Sequence, residues 1–181
     1  MGNLSGIAIR HLTLADANAL SALARDTFDE TFGHLYKPDD LAVFQEEAQS
    51  IEAYQRLLST SGVAVWAGES AAGELVGFAT AGPCKLPAPN LEKDAGEIRH
   101  LYLRGTVQRE GLGTRLLVTA LDWLAAQGHS PLYVGVWSGN FGAQRLYGRF
   151  GFEKIGEYDF PVGKHLDREF ILRQRKSMGA G

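Results

Sequence analysis

Residues 6 to 12, Gly-Ile-Ala-Ile-Arg-His-Leu, alternate apolar and polar side chains and predict a strand. Thr13 and Asp16 then offer a capping box. From Leu14 to about Phe32 the apolar residues Leu20, Leu23, Ala24, Phe28 and Phe32 recur at three- and four-residue spacing, which predicts a helix with one buried face. Gly33 is placed to end it, and Pro38 restarts a helical pattern that divides into two pieces near Ser50. Val63 to Gly68 and Glu74 to Ala81 read as strands, joined into a hairpin by the turn-forming run Glu69 to Gly73.

The stretch Gly82 to Gly96 contains Pro83, Pro87 and Pro89 and reads as loop. Glu97 to Arg104 predicts a strand. A glycine-bearing turn leads from it to a helix over Leu112 to Gln127, closed by Gly128, and a further strand runs from Leu132 to Val136, which makes a βαβ unit. A last helix over about Phe141 to Phe150 stops at Gly151, and Phe152 to Tyr158 and Leu166 to Leu172 predict two closing strands before a short tail, 174–181. No repeat, low-complexity tract or linker divides the chain. The pattern therefore predicts one domain over 1–181, with a core of about 6–173: an α/β (α+β) fold whose mixed sheet of six or seven strands carries helices on its faces.

With 45% hydrophobic residues in 181, the chain can bury a continuous core without staples. Cys84 is the single cysteine, so it has no disulfide partner in this sequence, and no paired Cys or His spacing suggests a metal site. A reducing, cytoplasmic setting is expected, and the opening Met1 to Gly6 carries no targeting signal. The 21 acidic and 18 basic residues leave a net charge of -3 with no Lys/Arg stripe, which argues against a nucleic-acid partner. Apolar runs such as Leu116 to Leu121 fall far short of the roughly 20 residues that span a bilayer, so no membrane partner is expected.

The strongest chemical signal is Gln108-Arg109-Glu110-Gly111-Leu112-Gly113-Thr114, directly between a predicted strand and an amphipathic helix. Glycines at 111 and 113 remove Cβ atoms that block close backbone approach, and the free N–H groups at a helix start suit phosphate oxygens. No Gly-Lys-Ser/Thr follows, which excludes a Walker loop, and Leu116 stands where a dinucleotide fingerprint needs Gly or Ala. What remains is Q/R-x-x-G-x-G/A, matched at all three defined positions, and in this the chain resembles the GNAT acetyltransferases. Glu97-Ile-Arg-His-Leu-Tyr-Leu103 before the motif is similar to that family's fourth strand. Leu132 to Asn140, with Ala143, Leu146, Tyr147 and the Gly151-Phe152 pair, is similar to its next strand and helix.

The resemblance implies a GNAT fold, mostly antiparallel, and acetyl-CoA as the cofactor. It implies that the backbone of Leu101, Tyr102 and Leu103 holds the pantetheine arm and that Gln108, Arg109, Glu110, Gly111, Leu112, Gly113 and Thr114 take the pyrophosphate. It further implies that Asn140 hydrogen-bonds the arm, that Ala143 leaves room for it, and that Tyr147 protonates the departing sulfur, although a core aromatic on an amphipathic helix is the other reading of Tyr147. An attacking amine must lose a proton. Glu97 matches the glutamate base of some family members, with His100 or water as alternatives, and strand alternation predicts that Glu97 and His100 face opposite sides of the sheet.

Asp26 to Phe32, Val134 to Trp137 with Asn140, and Gly156 to Gly163 with Asp167 resemble the bacterial spermidine/spermine N-acetyltransferases. That likeness implies a polyamine as the small-molecule amine substrate, with Asp26, Asp29, Glu30 and the acidic segment 39–52 as candidates to grip it, and it implies a homodimer. A non-catalytic acyl-CoA-binding module and an enzyme acting on a protein or peptide α-amine stand as alternatives.

Overall fold

The computed structural model describes residues 6–176. The order is β1 (Ala8–His11), α1 (Ala17–Phe32), α2 (Pro38–Ala48), α3 (Ile51–Leu58), β2 (Ala64–Glu69), β3 (Leu75–Pro83), β4 (Gly96–Leu103), α4 (Leu112–Ala126), β5 (Leu132–Trp137), α5 (Phe141–Arg149), β6 (Phe152–Val162) and β7 (His165–Gln174). The strands form one seven-stranded sheet in the order β1-β2-β3-β4-β5-β7-β6, antiparallel throughout except for the β4–β5 pair that α4 crosses over to connect.

One face of the sheet is covered by α4, whose Leu112, Leu116, Leu117, Ala120 and Leu124 recur at helical spacing and pack on Ala79, Ala81, Ile98, Val134 and Val136. The other face is covered by α1 and α3, with Leu20, Leu23, Ala24 and Tyr54 on Val65, Ala67 and Phe78. Farther along that face an aromatic cluster gathers Phe28 and Phe32 of α1, Phe44 of α2, Tyr36, Trp137 and Phe160. β1 is pinned by Arg10, whose guanidinium holds Asp16 at 2.9 Å ahead of α1 and Glu69 of β2 at 2.5 Å.

α1 ends at Phe32 with Gly33 as its cap, as expected; Gly33 has φ -54° and leads into a 3₁₀ turn, and its missing side chain matters because a Cβ there would collide with the Asp29 carboxylate. Two sequence expectations change. β6 and β7 run longer than their apolar pattern, to Val162 and Gln174, because their outer halves are held by the ladder and by surface pairs such as Arg168 with Glu157, rather than by burial. The tail expected from Gln174 begins later, since Gln174 pairs with Phe152 and its Nε2 donates to Phe150 O at 2.8 Å; residues 177–181 lie outside the described residues.

Candidate active site

β4 and β5 are bonded only at Gly96↔Leu132, Glu97↔Tyr133 and Ile98↔Val134. Beyond Ile98 the two strands part, while β4 stays bonded to β3 as far as Leu103↔Gly77. The β4 edge from 99 to 103 that faces β5 thus has no strand partner. A cavity of about 540 Å³ follows this edge to the start of α4. Leu101, Tyr102, Leu103, Gln108, Arg109, Gly111, Gly113, Thr114, Asn140, Ala143 and Tyr147 line it.

The turn into α4 places Arg109 at φ 67° and Gly111 at φ 86°, a left-handed pairing that exposes successive backbone N–H groups at the positive end of the helix dipole. At Gly113 an added Cβ would stand 3.0 Å from Leu103 Cδ1, so glycine is what lets α4 approach β4. Two motif residues do not face the cavity. Leu112 is fully buried against Gly68, leaving only its backbone in the cradle, and Glu110 has a buried Oε2 without a partner. Asn140 spends its Oδ1 on capping α5, accepting from Ala143 N at 3.1 Å. Arg145 and Arg149 of α5, which the motif did not point to, also line the cavity, and neither has an ion-pair partner among the described residues. Their i, i+4 spacing on one helix face was the available signal.

A second cavity, about 390 Å³, opens on the α1–α3 side of the sheet. Both cavities include Phe32, Leu101, Tyr102, Asn140, Ala143 and Tyr147, so they meet there. Tyr147 is buried at the junction, edge-on to Phe152, and burial pushes its phenol above the ordinary tyrosine range, so it stays protonated at neutral pH.

Glu97 and His100 do not face opposite sides. The register places Ile98 against Ala81 and His100 against Thr80, so Arg99 is an extra residue in β4, a β-bulge that resets the alternation. Glu97, Arg99 and His100 all line the second cavity. Glu97 is buried, and its Oε2 accepts from Lys85 N at 2.8 Å. Burial raises the carboxyl pKa above its ordinary value, opposed by that hydrogen bond and the nearby Arg99 charge. The His100 ring packs against Phe78 and Tyr102, and burial, assisted by Arg99, holds its pKa at about 4, so the imidazole is neutral.

The remaining walls are Phe28, Phe32, Tyr36, Phe44, Trp137 and Phe160, with Asp167 and Glu169 from β7. Asp167 accepts from the Tyr36 hydroxyl and lies 3.1 Å from His165 Nε2. Burial and the charge of Asp167 push Glu169 up to about 7. The helix-1 acids expected to grip an amine are elsewhere: Asp26 binds Arg104 at 3.0 Å, Glu30 accepts from Gly105 N at 2.8 Å, and Asp29 lies beside Gly33. In the 39–52 segment, Asp40 accepts from Lys164 N at 2.7 Å and Glu46 pairs with Arg25. None of these carboxylates lines the cavity. The carboxylates that do line it, Asp167 and Glu169, are an i, i+2 pair on one face of the last strand, a spacing readable in the sequence.

The model of the acetyltransferase (GNAT) family matches residues 21–152, and the chain belongs to that family. It is an acetyl-CoA-dependent N-acetyltransferase. An uncharacterized N-acetyltransferase from the pepI 3′ region of Lactobacillus delbrueckii subsp. lactis is 26% identical over 94% of this chain and 98% of its own. The L-methionine sulfoximine/L-methionine sulfone acetyltransferase of Pseudomonas paraeruginosa is 28% identical over 90% and 91%. Among solved structures, the PaiA N-acetyltransferase of Thermoplasma acidophilum, in complex with coenzyme A, shares the fold at a TM-score of 0.72 and 20% identity, covering 94% of this chain and 99% of that one. Among the described residues, no helix is long and apolar enough to cross a membrane, and no group of three His, Cys, Asp or Glu residues could hold a metal.

Proposed function

We propose that the chain acetylates a small primary amine taken up as its ammonium ion, with polyamines such as spermidine and spermine the first class to test. The observation that carries this reading is the second cavity: aromatic rings wall it, Glu97, Asp167 and Glu169 line it, and it opens at Tyr147 onto the β4–β5 gap. Carboxylates and ring faces both attract a desolvated ammonium.

The residues of the first cavity fit the donor. The exposed N–H groups of 109–114 and the arginines Arg109, Arg145 and Arg149 would hold phosphates, and the unpartnered β4 edge would orient an extended arm. Gly113 and Ala143 keep side chains out of its path. Acetyl-CoA, when bound, supplies an acetyl thioester whose sulfur leaves as a thiolate. Glu97, its basicity raised by burial, takes the ammonium proton at a carboxylate oxygen, directly or through water. Tyr147 keeps its proton at Oη, where the two cavities meet, and delivers it to the leaving group. The aromatic walls exclude bulk water from the reacting amine.

The test is free-thiol release from acetyl-CoA over a panel of amines, including spermidine, spermine, aminoglycosides, amino acids and short peptides. Turnover of a polyamine, with Tyr147→Phe losing rate far more than CoA affinity, is the expected result. Tight CoA binding with no thiol release above background for any amine would turn the reading toward a non-catalytic module.

A further inference from the structure

We propose that the acceptor cavity has an oxyanion-binding end built on Arg99 and His100, so that its preferred acceptors carry a carboxylate or similar oxyanion beside the reacting amine. This rests on the reading that the cavity takes up an amine, and it names what else that amine bears.

Buried polar atoms in folded proteins are almost always hydrogen-bonded, and one left without a partner is destabilising. Among the described residues five buried side-chain atoms lack a partner: Gln49 Oε1, Thr80 Oγ1, Arg99 Nε, His100 Nδ1 and Glu110 Oε2. Gln49, Arg99 and His100 line the acceptor cavity, and Thr80 is the cross-strand neighbour of His100. Three of them, Thr80 Oγ1, Arg99 Nε and His100 Nδ1, therefore belong to adjoining residues of β3 and β4.

Arg99 is held there by the backbone. As the bulged residue of β4, it lays its guanidinium over Gly82, where an added Cβ would come within 3.2 Å of Cζ and Nη2. Nη2 donates to Pro83 O at 2.7 Å, which fixes the plane of the group. No carboxylate lies within ion-pair reach of it among the described residues, and its Nε–H stays unused. A fixed, half-buried guanidinium with a spare donor is suited to a carboxylate oxygen. The neutral His100 imidazole can present Nδ1–H to a second oxygen in one of its two tautomers.

The carboxylates Asp167 and Glu169 stand on β7, beyond β5 from these donors in the sheet order, and Glu97, near Arg99, has its Oε2 bonded to Lys85 N, so the oxyanion donors and the β7 carboxylates lie on different sides of the cavity. A polyamine has no oxygen to accept from the unused Arg99 Nε–H. An amino acid or a related amino oxyanion matches both sides.

Matched acceptors that differ only in an α-carboxylate give the test: ornithine against putrescine, and lysine against cadaverine, by thiol release and by calorimetric binding to the CoA-loaded protein. The expected result is at least a tenfold higher kcat/KM for the carboxylated member of a pair. Arg99→Gln should collapse that ratio toward one, and Arg99→Lys should leave it intermediate. CoA binding and the melting temperature report whether each variant is folded. The methyl ester of lysine, assayed on the wild type, keeps the amine, removes the anion and should lose the advantage without any substitution. A wild type that prefers the diamines, a ratio that survives Arg99→Gln in a folded protein, or an ester as good as the acid overturns the oxyanion end while leaving amine acetylation standing. Absence of turnover with any amine overturns the amine reading itself.

Discussion

Glu97 and His100 stand three positions apart on β4 yet face the same cavity, because Arg99 is an extra residue between the pairs Ile98↔Ala81 and His100↔Thr80. Of the two, Glu97 is the better base at neutral pH, since burial raises its pKa while the His100 pKa is held at about 4. Replacing Glu97 by Gln should lower kcat/KM for the amine by about 10²-fold. The wild-type rate should fall as pH drops through the Glu97 pKa, because only the carboxylate accepts a proton, and E97Q should lose that limb. A pH–rate profile of unchanged shape would assign proton removal to water.

Tyr147 is predicted to act on rate rather than binding. Tyr147→Phe removes one oxygen from a residue packed on Phe152, so the fold and the CoA Kd should hold, while kcat falls by about 10²-fold. Equal losses in CoA affinity and rate would make Tyr147 a packing residue.

Arg145 and Arg149 line the donor cavity without ion-pair partners among the described residues. Arg145→Ala and Arg149→Ala should each weaken CoA binding by about tenfold at low salt, and the difference from wild type should shrink as ionic strength rises. Titration calorimetry at two salt concentrations reads both effects.

Glu169 titrates near neutrality, at about 7, so it is neutral below that pH and anionic above it. If its charge holds the ammonium, the acceptor KM falls as pH rises from 6 to 8, and Glu169→Gln flattens this dependence and raises KM at pH 8. An alkylamine acceptor such as a polyamine stays an ammonium across this window, so with it the change belongs to the protein.

His100 sets an acid limit on stability. Its folded pKa of about 4 lies below the ordinary 6.5, so its contribution is full above pH 6.5 and is lost as pH falls through 4. The loss can reach about 3 kcal/mol. His100→Phe, which fits between Phe78 and Tyr102, should melt with less pH dependence between 6.5 and 4 than wild type.

Much of this was legible in the residues. The i, i+3, i+4 apolar spacing of α1 and α4, and the glycines at 111 and 128, locate those helices because burial and left-handed turns leave direct marks on sequence. The glycine turn into α4, beside the larger cavity, was legible for the same reason. The acceptor side was not, because it depends on an inserted residue and on partners far apart in the chain. Nothing local to Glu97-Ile98-Arg99-His100 announces a bulge, which appears only when β3 is laid beside it. Likewise Asp26 and Glu30 look free on α1 until Arg104 and Gly105, more than seventy positions later, are seen to occupy them.

The parting of β4 from β5 has a mechanical consequence. The molecule consists of two half-sheets, β1 to β4 and β5 to β7 with β6, whose seam within the sheet is three rungs long, from Gly96 to Ile98. An extended arm lying in the gap would act as an added strand and lengthen that seam. The cosubstrate then becomes a keystone of the architecture, and amide exchange along 99–103 would slow when it is seated.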